Sequence, residues 1–98
     1  MTDSPFEWLQ SWYRSKLDGD WEHQNGIRIS TIDNPGWRLT VDIWDTELGE
    51  RSFDRREEER GKHDWVSAWV EHGKFEACGG PDSLPEMISI FRDWVERS

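Results

Sequence analysis

Two alternating segments, "GIRISTI" (26–32) and "WRLTVDI" (37–43), stand either side of "DNPG" and constrain this chain more than any other feature. Ile27 and Ile29 fall on one face, with Arg28 and Ser30 on the other; Trp37, Leu39, Val41 and Ile43 oppose Arg38, Thr40 and Asp42. A period of two is the signature of a strand with one buried face. Pro35-Gly36 suits the middle of a type II turn, where proline presets φ and glycine tolerates a positive one. The pair therefore predicts an antiparallel hairpin with one wet face and one apolar face that other elements must cover.

Two amphipathic segments can provide that cover. In "SPFEWLQSWYRSKLDG", Ser4 and Glu7 have capping-box spacing and Pro5 suits the first helical position. Phe6, Leu9 and Tyr13 form a stripe that Trp8 and Trp12 widen, and Gly19 offers a stop. In "DSLPEMISIFRDWVERS", Ser83 and Glu86 repeat the capping-box spacing. Leu84, Met87, Ile88, Phe91, Trp94 and Val95 then make one continuous apolar face. Between them, "DWVSAWVEHGKFEAC" predicts a third and a fourth strand around a turn at His72-Gly73. Residues 45–64 are strongly charged, with Leu48 and Phe53 as their bulky apolar members. They read as a long loop tethered by Phe53, with at most a short helix over "DRREEER". The expected architecture is α+β: one domain over residues 1–98, with a four-stranded antiparallel sheet and N- and C-terminal helices packed on one face.

With 34% hydrophobic residues in 98 positions, the core has to be economical, and eight tryptophans make it so. The mean hydropathy of −0.95 would suit a disordered chain, but 13% aromatics argue for packing. Twenty-one acids against 12 bases leave −9. That field repels phosphate backbones and anionic membranes and draws in a basic partner. The same charge also serves plain solubility. Cys78 is the single cysteine, no apolar run approaches a membrane span, and "MTDSPFEW" lacks a signal pattern. The expectation is a soluble cytoplasmic protein.

Chemical motifs are scarce. Asp18, Asp20 and Glu22 resemble the start of a calcium loop, but His23 and Ile29 stand where an EF-hand needs glycine and glutamate. Glu22 and His23, read as neighbours at a strand start, would point to opposite faces and ligate one ion poorly. Cys78 with His72 is a weak pairing for nucleophilic catalysis, a small packed cysteine being the commoner outcome. No phosphate or dinucleotide loop occurs, and "ACGGPD" lacks the lysine of one. In a chain of 21 acids, carboxylate pairs such as Asp18/Asp20, Asp42/Asp45 and Glu57–Glu59 carry little catalytic information. No catalytic residue, metal or cofactor is expected.

The aromatic pattern says more. If Val66, Ala68 and Val70 face the helices, Trp65 and Trp69 join Arg28, Arg38, Asp42 and Trp44 on the opposite face. Tryptophan among charges is the composition of a protein-binding hot spot. Alternatively, the third strand is reversed, or the long loop folds across the face, and those rings make a second small core.

Three stretches, "WLQSWY", "DGDWEHQNGIRISTIDNPGW" and "GGPDSLPEMISIFRDWV", resemble the immunity protein 53 family of bacterial polymorphic toxin systems. The likeness runs through nearly the whole chain, in order. It implies a small cytoplasmic protein, made beside a secreted toxin, that binds the toxin's C-terminal domain and blocks it. It names neither toxin nor epitope. Many such toxin domains are nucleases with basic clefts, which an acidic protein could occupy as a phosphate mimic. Trp21 is expected to anchor the strand start. The candidate partner-binding residues are Asp18, Asp20, Glu22, His23, Asp42, Trp44 and Asp45. The alternative is a stand-alone peptide- or sugar-binding module using Trp44, Trp65 and Trp69.

Overall fold

A computed structural model describes residues 4–97. The elements are α1 (Pro5–Lys16), α2 (Trp21–Gln24), β1 (Ile27–Ile32), β2 (Gly36–Asp42), β3 (Arg56–Gly61), β4 (Asp64–Glu71), β5 (Lys74–Gly79) and α3 (Leu84–Glu96). The sheet has five strands in the order β1-β2-β5-β4-β3, with every neighbouring pair antiparallel. The two-layer α+β plan matches the sequence reading, but four strands was one too few. The missed one is β3, inside the charged segment read as a loop with a short helix.

The composition of β3 explains the miss. "REEERG" has no apolar residue, so its period shows only in its charges. Arg56, Glu58 and Arg60 share one side, with Arg56–Glu58 at 2.6 Å and Arg60–Glu58 at 3.0 Å. Arg60 also reaches Glu86 of α3 at 2.7 Å, tying the outermost hairpin to the helix layer. A dense row of charges suits a sheet edge, because it discourages another chain from adding to the unpaired backbone.

The turn between β1 and β2 also differs from expectation. The Asn34–Pro35 peptide is cis, and Gly36 already pairs with Ile32, so the turn centres on residues 33–35. Gly36 is not at positive φ. Its role is close approach: a Cβ there would sit 2.0 Å from the Gly79 carbonyl oxygen of β5. The turn at His72-Gly73 forms as read, with φ of 53° and 73°, the paired left-handed geometry that a two-residue hairpin favours.

The registers place Ile27, Val41, Phe75 and Val70 in one cross-sheet row, and Leu39, Ala77 and Ala68 in another, all on the helix side. Leu39, Val41, Phe75, Ala77 and Ala68 are fully buried there. From α3, Phe91 meets Phe75 at a ring-centroid distance of 5.0 Å, and α1 delivers Trp12 to Phe91 at 5.0 Å and Trp8 at 5.8 Å. Trp12 is edge-on to Trp21 at 6.1 Å, so the aromatic layer runs from the sheet through both long helices to α2.

Residues 43–55 cross from β2 to the far edge, past β5 and β4, a span of about 14 Å at ordinary strand spacing. Leu48 is fully buried on the way, and Phe53 packs edge-on against Phe75 and Trp94 at 5.4 and 5.2 Å. Arg51 donates to the carbonyls of Trp94, Val95 and Arg97 at 2.9–3.2 Å. It supplies the positive charge that the last turn of α3 lacks. The α1 cap forms in part, with Ser4 Oγ accepting from the Glu7 N–H at 3.5 Å. The box expected at α3 does not form: Ser83 Oγ donates to the Trp65 carbonyl and Glu86 serves Arg60.

Two glycine substitutions separate close approach from mere flexibility. Gly36→Ala drives a methyl into β5 and is expected to cost about 1–3 kcal/mol. Gly26→Ala meets nothing within 4 Å and is expected to stay within about 0.5 kcal/mol of wild type. Urea unfolding followed by tryptophan fluorescence reads both; equal midpoints would contradict the packing at Gly36.

Candidate functional site

The stretch "DGDWEH" is a tight turn leading into one turn of helix, not the start of a strand. Asp18 Oδ1 accepts from the backbone N–H groups of Asp20 and Trp21 at 2.9 and 2.8 Å. Glu22 accepts from those of Asp18 and Gly19 at 3.1 and 2.9 Å. These two carboxylates satisfy four N–H groups, two in the turn and two at the helix start, that are otherwise left to water. The Trp21 N–H foremost, and the Asp20 N–H after it, hold the Asp18 carboxyl below the ordinary aspartate range. Glu22 is likewise held low, chiefly by its own N–H and then by those of Asp18 and Gly19, against some desolvation. With both carboxylate oxygens so engaged, Glu22 is poorly placed to join His23 on a metal ion. Among the described residues, no group of three or more His, Cys, Asp or Glu side chains gathers in a metal-holding arrangement.

Trp21 is the anchor of this turn. Its ring is buried, and its Nε1–H donates to the Trp44 carbonyl at 2.9 Å, joining α2 to the end of β2. Asp42, at the last position of β2, is 3% exposed. Its Oδ2 accepts from the Gly26 N–H at 2.8 Å and its Oδ1 from Lys74 at 3.0 Å. Beyond it the chain turns sharply. Trp44 is 68% exposed, and Asp45 follows in the left-handed region at φ 60°, which aspartate tolerates better than most residues. The β4–β5 turn lies directly behind: Ile43 donates to the Gly73 carbonyl at 2.9 Å, and a Cβ on Gly73 would be 3.6 Å from Trp44 Cβ.

These elements enclose a shallow cleft of about 250 Å³ lined by Asp20, Trp21, His23, Gln24, Asn25, Trp44 and Asp45. Of the seven sequence candidates, the structure brings Asp20, His23, Trp44 and Asp45 together around it. Asp18 and Glu22 lie in the turn beside it, with their carboxylates turned to backbone N–H groups. Asp42 is buried at the end of β2 on the sheet face opposite the helices, in register with Lys74. The Trp21–Trp44 hydrogen bond beside the cleft is not legible in the sequence, which marks two tryptophans 23 positions apart but not their meeting.

The sheet face opposite the helices carries Trp65, Trp69, Arg28 and Arg38, as the strand pattern implied. The long connection lays no bulky apolar side chain over it, since Leu48 and Phe53 pack on the helix side. Instead the Arg38 and Arg55 guanidiniums lie 5.9 and 5.0 Å from the Trp69 ring, and Arg38 bridges to Glu76 at 2.6 Å. Cys78 shares this face, its thiol pushed up chiefly by burial, while His72 sits at the opposite end of β5. That separation rules out the Cys78–His72 pairing.

A family model described as Immunity protein 53 matches residues 6–96. Neither the curated proteins nor the solved structures yield a match. No helix among the described residues is long and apolar enough to cross a membrane.

The lowered carboxyls make the turn sensitive to acid. Both groups bind protons less readily folded than unfolded, so their contribution is complete above the ordinary carboxylate range and is lost as pH falls through the folded values. Carboxyl-carbon NMR titration should give midpoints for Asp18 and Glu22 below those of free aspartate and glutamate. Protonation should also loosen the amides of Asp18 through Trp21. Ordinary midpoints would contradict the hydrogen-bonding described.

Proposed function

The chain belongs to the immunity protein 53 family, and from that membership we propose that it binds the C-terminal domain of a cognate secreted toxin in the cytoplasm and neutralises it. The match over residues 6–96 carries the reading. The mode of action is occupancy, with no bond made or broken by the inhibitor. A net charge of −9 supports a cationic target, and a nuclease with a basic cleft is the toxin class that such a surface suits. The proposed contact region is the end of the molecule bearing Asp18, Asp20, Glu22, His23, Asp42, Trp44 and Asp45.

The geometry of the open sheet face disfavours the alternative, a sugar or peptide platform. Trp69 is engaged by two guanidinium groups, and its Nε1–H donates to Glu71 at 3.0 Å. A ring so occupied offers a ligand little free aromatic surface.

Co-expression with the C-terminal domain of the toxin encoded beside it should restore growth, and the two purified proteins should elute together from gel filtration. Failure of both overturns the reading. Where charge steers the encounter, the association rate should fall by about tenfold or more between low and physiological salt, with dissociation little changed. A flat rate would leave inhibition standing and remove the acidic-complementarity part.

A further inference from the structure

The seven candidate contact residues are not equivalent, and their partners on this chain divide them. Asp18, Glu22 and Asp42 spend their carboxylates inward, on the N–H groups of residues 18–21 and 26 and on Lys74. Asp20 and Asp45 are exposed, and among the described residues their carboxylates take part in no hydrogen bond or ion pair. Trp44 lines the same cleft. It is the one tryptophan of eight classed as exposed; the other seven are buried or half-buried in the fold. The cleft at its foot has no lysine or arginine in its lining. A large exposed apolar ring that shares its cleft with two unpaired aspartates is complementary to an apolar hollow with a cationic rim.

We infer that Trp44 is the anchor of the contact, inserted into an apolar hollow on a cationic protein surface, with Asp20 and Asp45 pairing with lysine or arginine side chains on the rim. Asp18, Glu22 and Asp42 are positioning residues: they shape the turn and the strand end that carry the contact and do not touch the partner. This rests on the reading above and narrows it. Trp44 supplies area removed from water, and so sets the rate of dissociation. The two aspartates supply long-range attraction, and so set the rate of association and its dependence on salt.

The test uses the full chain and the toxin domain encoded beside it, with binding kinetics by surface plasmon resonance and thermal midpoints for each variant. Trp44→Ala should weaken binding by about thirtyfold or more, mainly through faster dissociation, with the melting midpoint close to wild type. Asp20→Asn with Asp45→Asn should slow association several-fold and flatten its salt dependence. Asp18→Asn, Glu22→Gln and Asp42→Asn should lower the midpoint and, well below it, leave the affinity of the folded protein within about threefold. Emission of Trp44 should shift to shorter wavelength on binding, a change that Trp44→Phe abolishes. A stable complex indifferent to Trp44, Asp20 and Asp45 overturns this inference alone, as does one that Asp18→Asn or Glu22→Gln weakens as strongly as Trp44→Ala without lowering the midpoint. No complex with the wild-type chain overturns the toxin-binding reading, and this inference with it.

Discussion

The ring of Phe91 is the contact on which the other parts of the molecule depend. It is fully buried on α3 and is met by Trp8 and Trp12 from α1, by Phe75 from the centre of the sheet and by Trp94 from its own helix. Each edge-on or tilted pair adds to the simple removal of area from water. A chain with only 34% hydrophobic residues cannot spread its core widely, so it concentrates burial in a few large rings. The aromatic layer thus fixes the sheet, both long helices and, through Trp12 and Trp21, the short helix at the acidic end.

That continuity links core to surface. Trp21 packs into the aromatic layer with one edge and with the other donates to the Trp44 carbonyl, the residue whose own ring points into water. The acidic turn is wrapped around Trp21 by Asp18 and Glu22, and Asp42 pins Gly26 to the end of β2. Several carboxylates in this region are therefore architectural. Their negative charge remains available to steer a partner at a distance, while their oxygens are committed at short range. Net charge and contact chemistry are separate properties of the same residues here.

Charge does different work at the other edge. On one side of β3, Arg56, Glu58 and Arg60 pair with one another, Arg55 just before the strand pairs with Glu57, and Arg60 fastens the strand to α3. Side-chain hydrophobicity carries no strand signal in this segment, so the sequence alone predicts a charged loop. What makes it a strand is the backbone edge offered by β4, with Glu57, Glu58 and Glu59 paired to Ser67, Val66 and Trp65. An edge strand can be held by ladder hydrogen bonds and one-sided ion pairs without burying anything of its own.

Residue order alone determined the elements whose period is written in apolar side chains: the hairpin of β1 and β2, the strands β4 and β5 with their His72-Gly73 turn, and the two long helices. It also carried the family resemblance. The tertiary structure decided matters of long-range proximity. It showed that Gly36 is glycine because β5 lies 2.0 Å from where a Cβ would stand, that Ser83 spends its hydroxyl on Trp65, and that Arg51 rather than α3 itself finishes that helix. It also divided the acids into those that bind backbone and those left facing water. Periodicity is a local property and survives in one dimension, whereas a carboxylate's partner depends on which distant N–H the folded chain brings within about 3 Å.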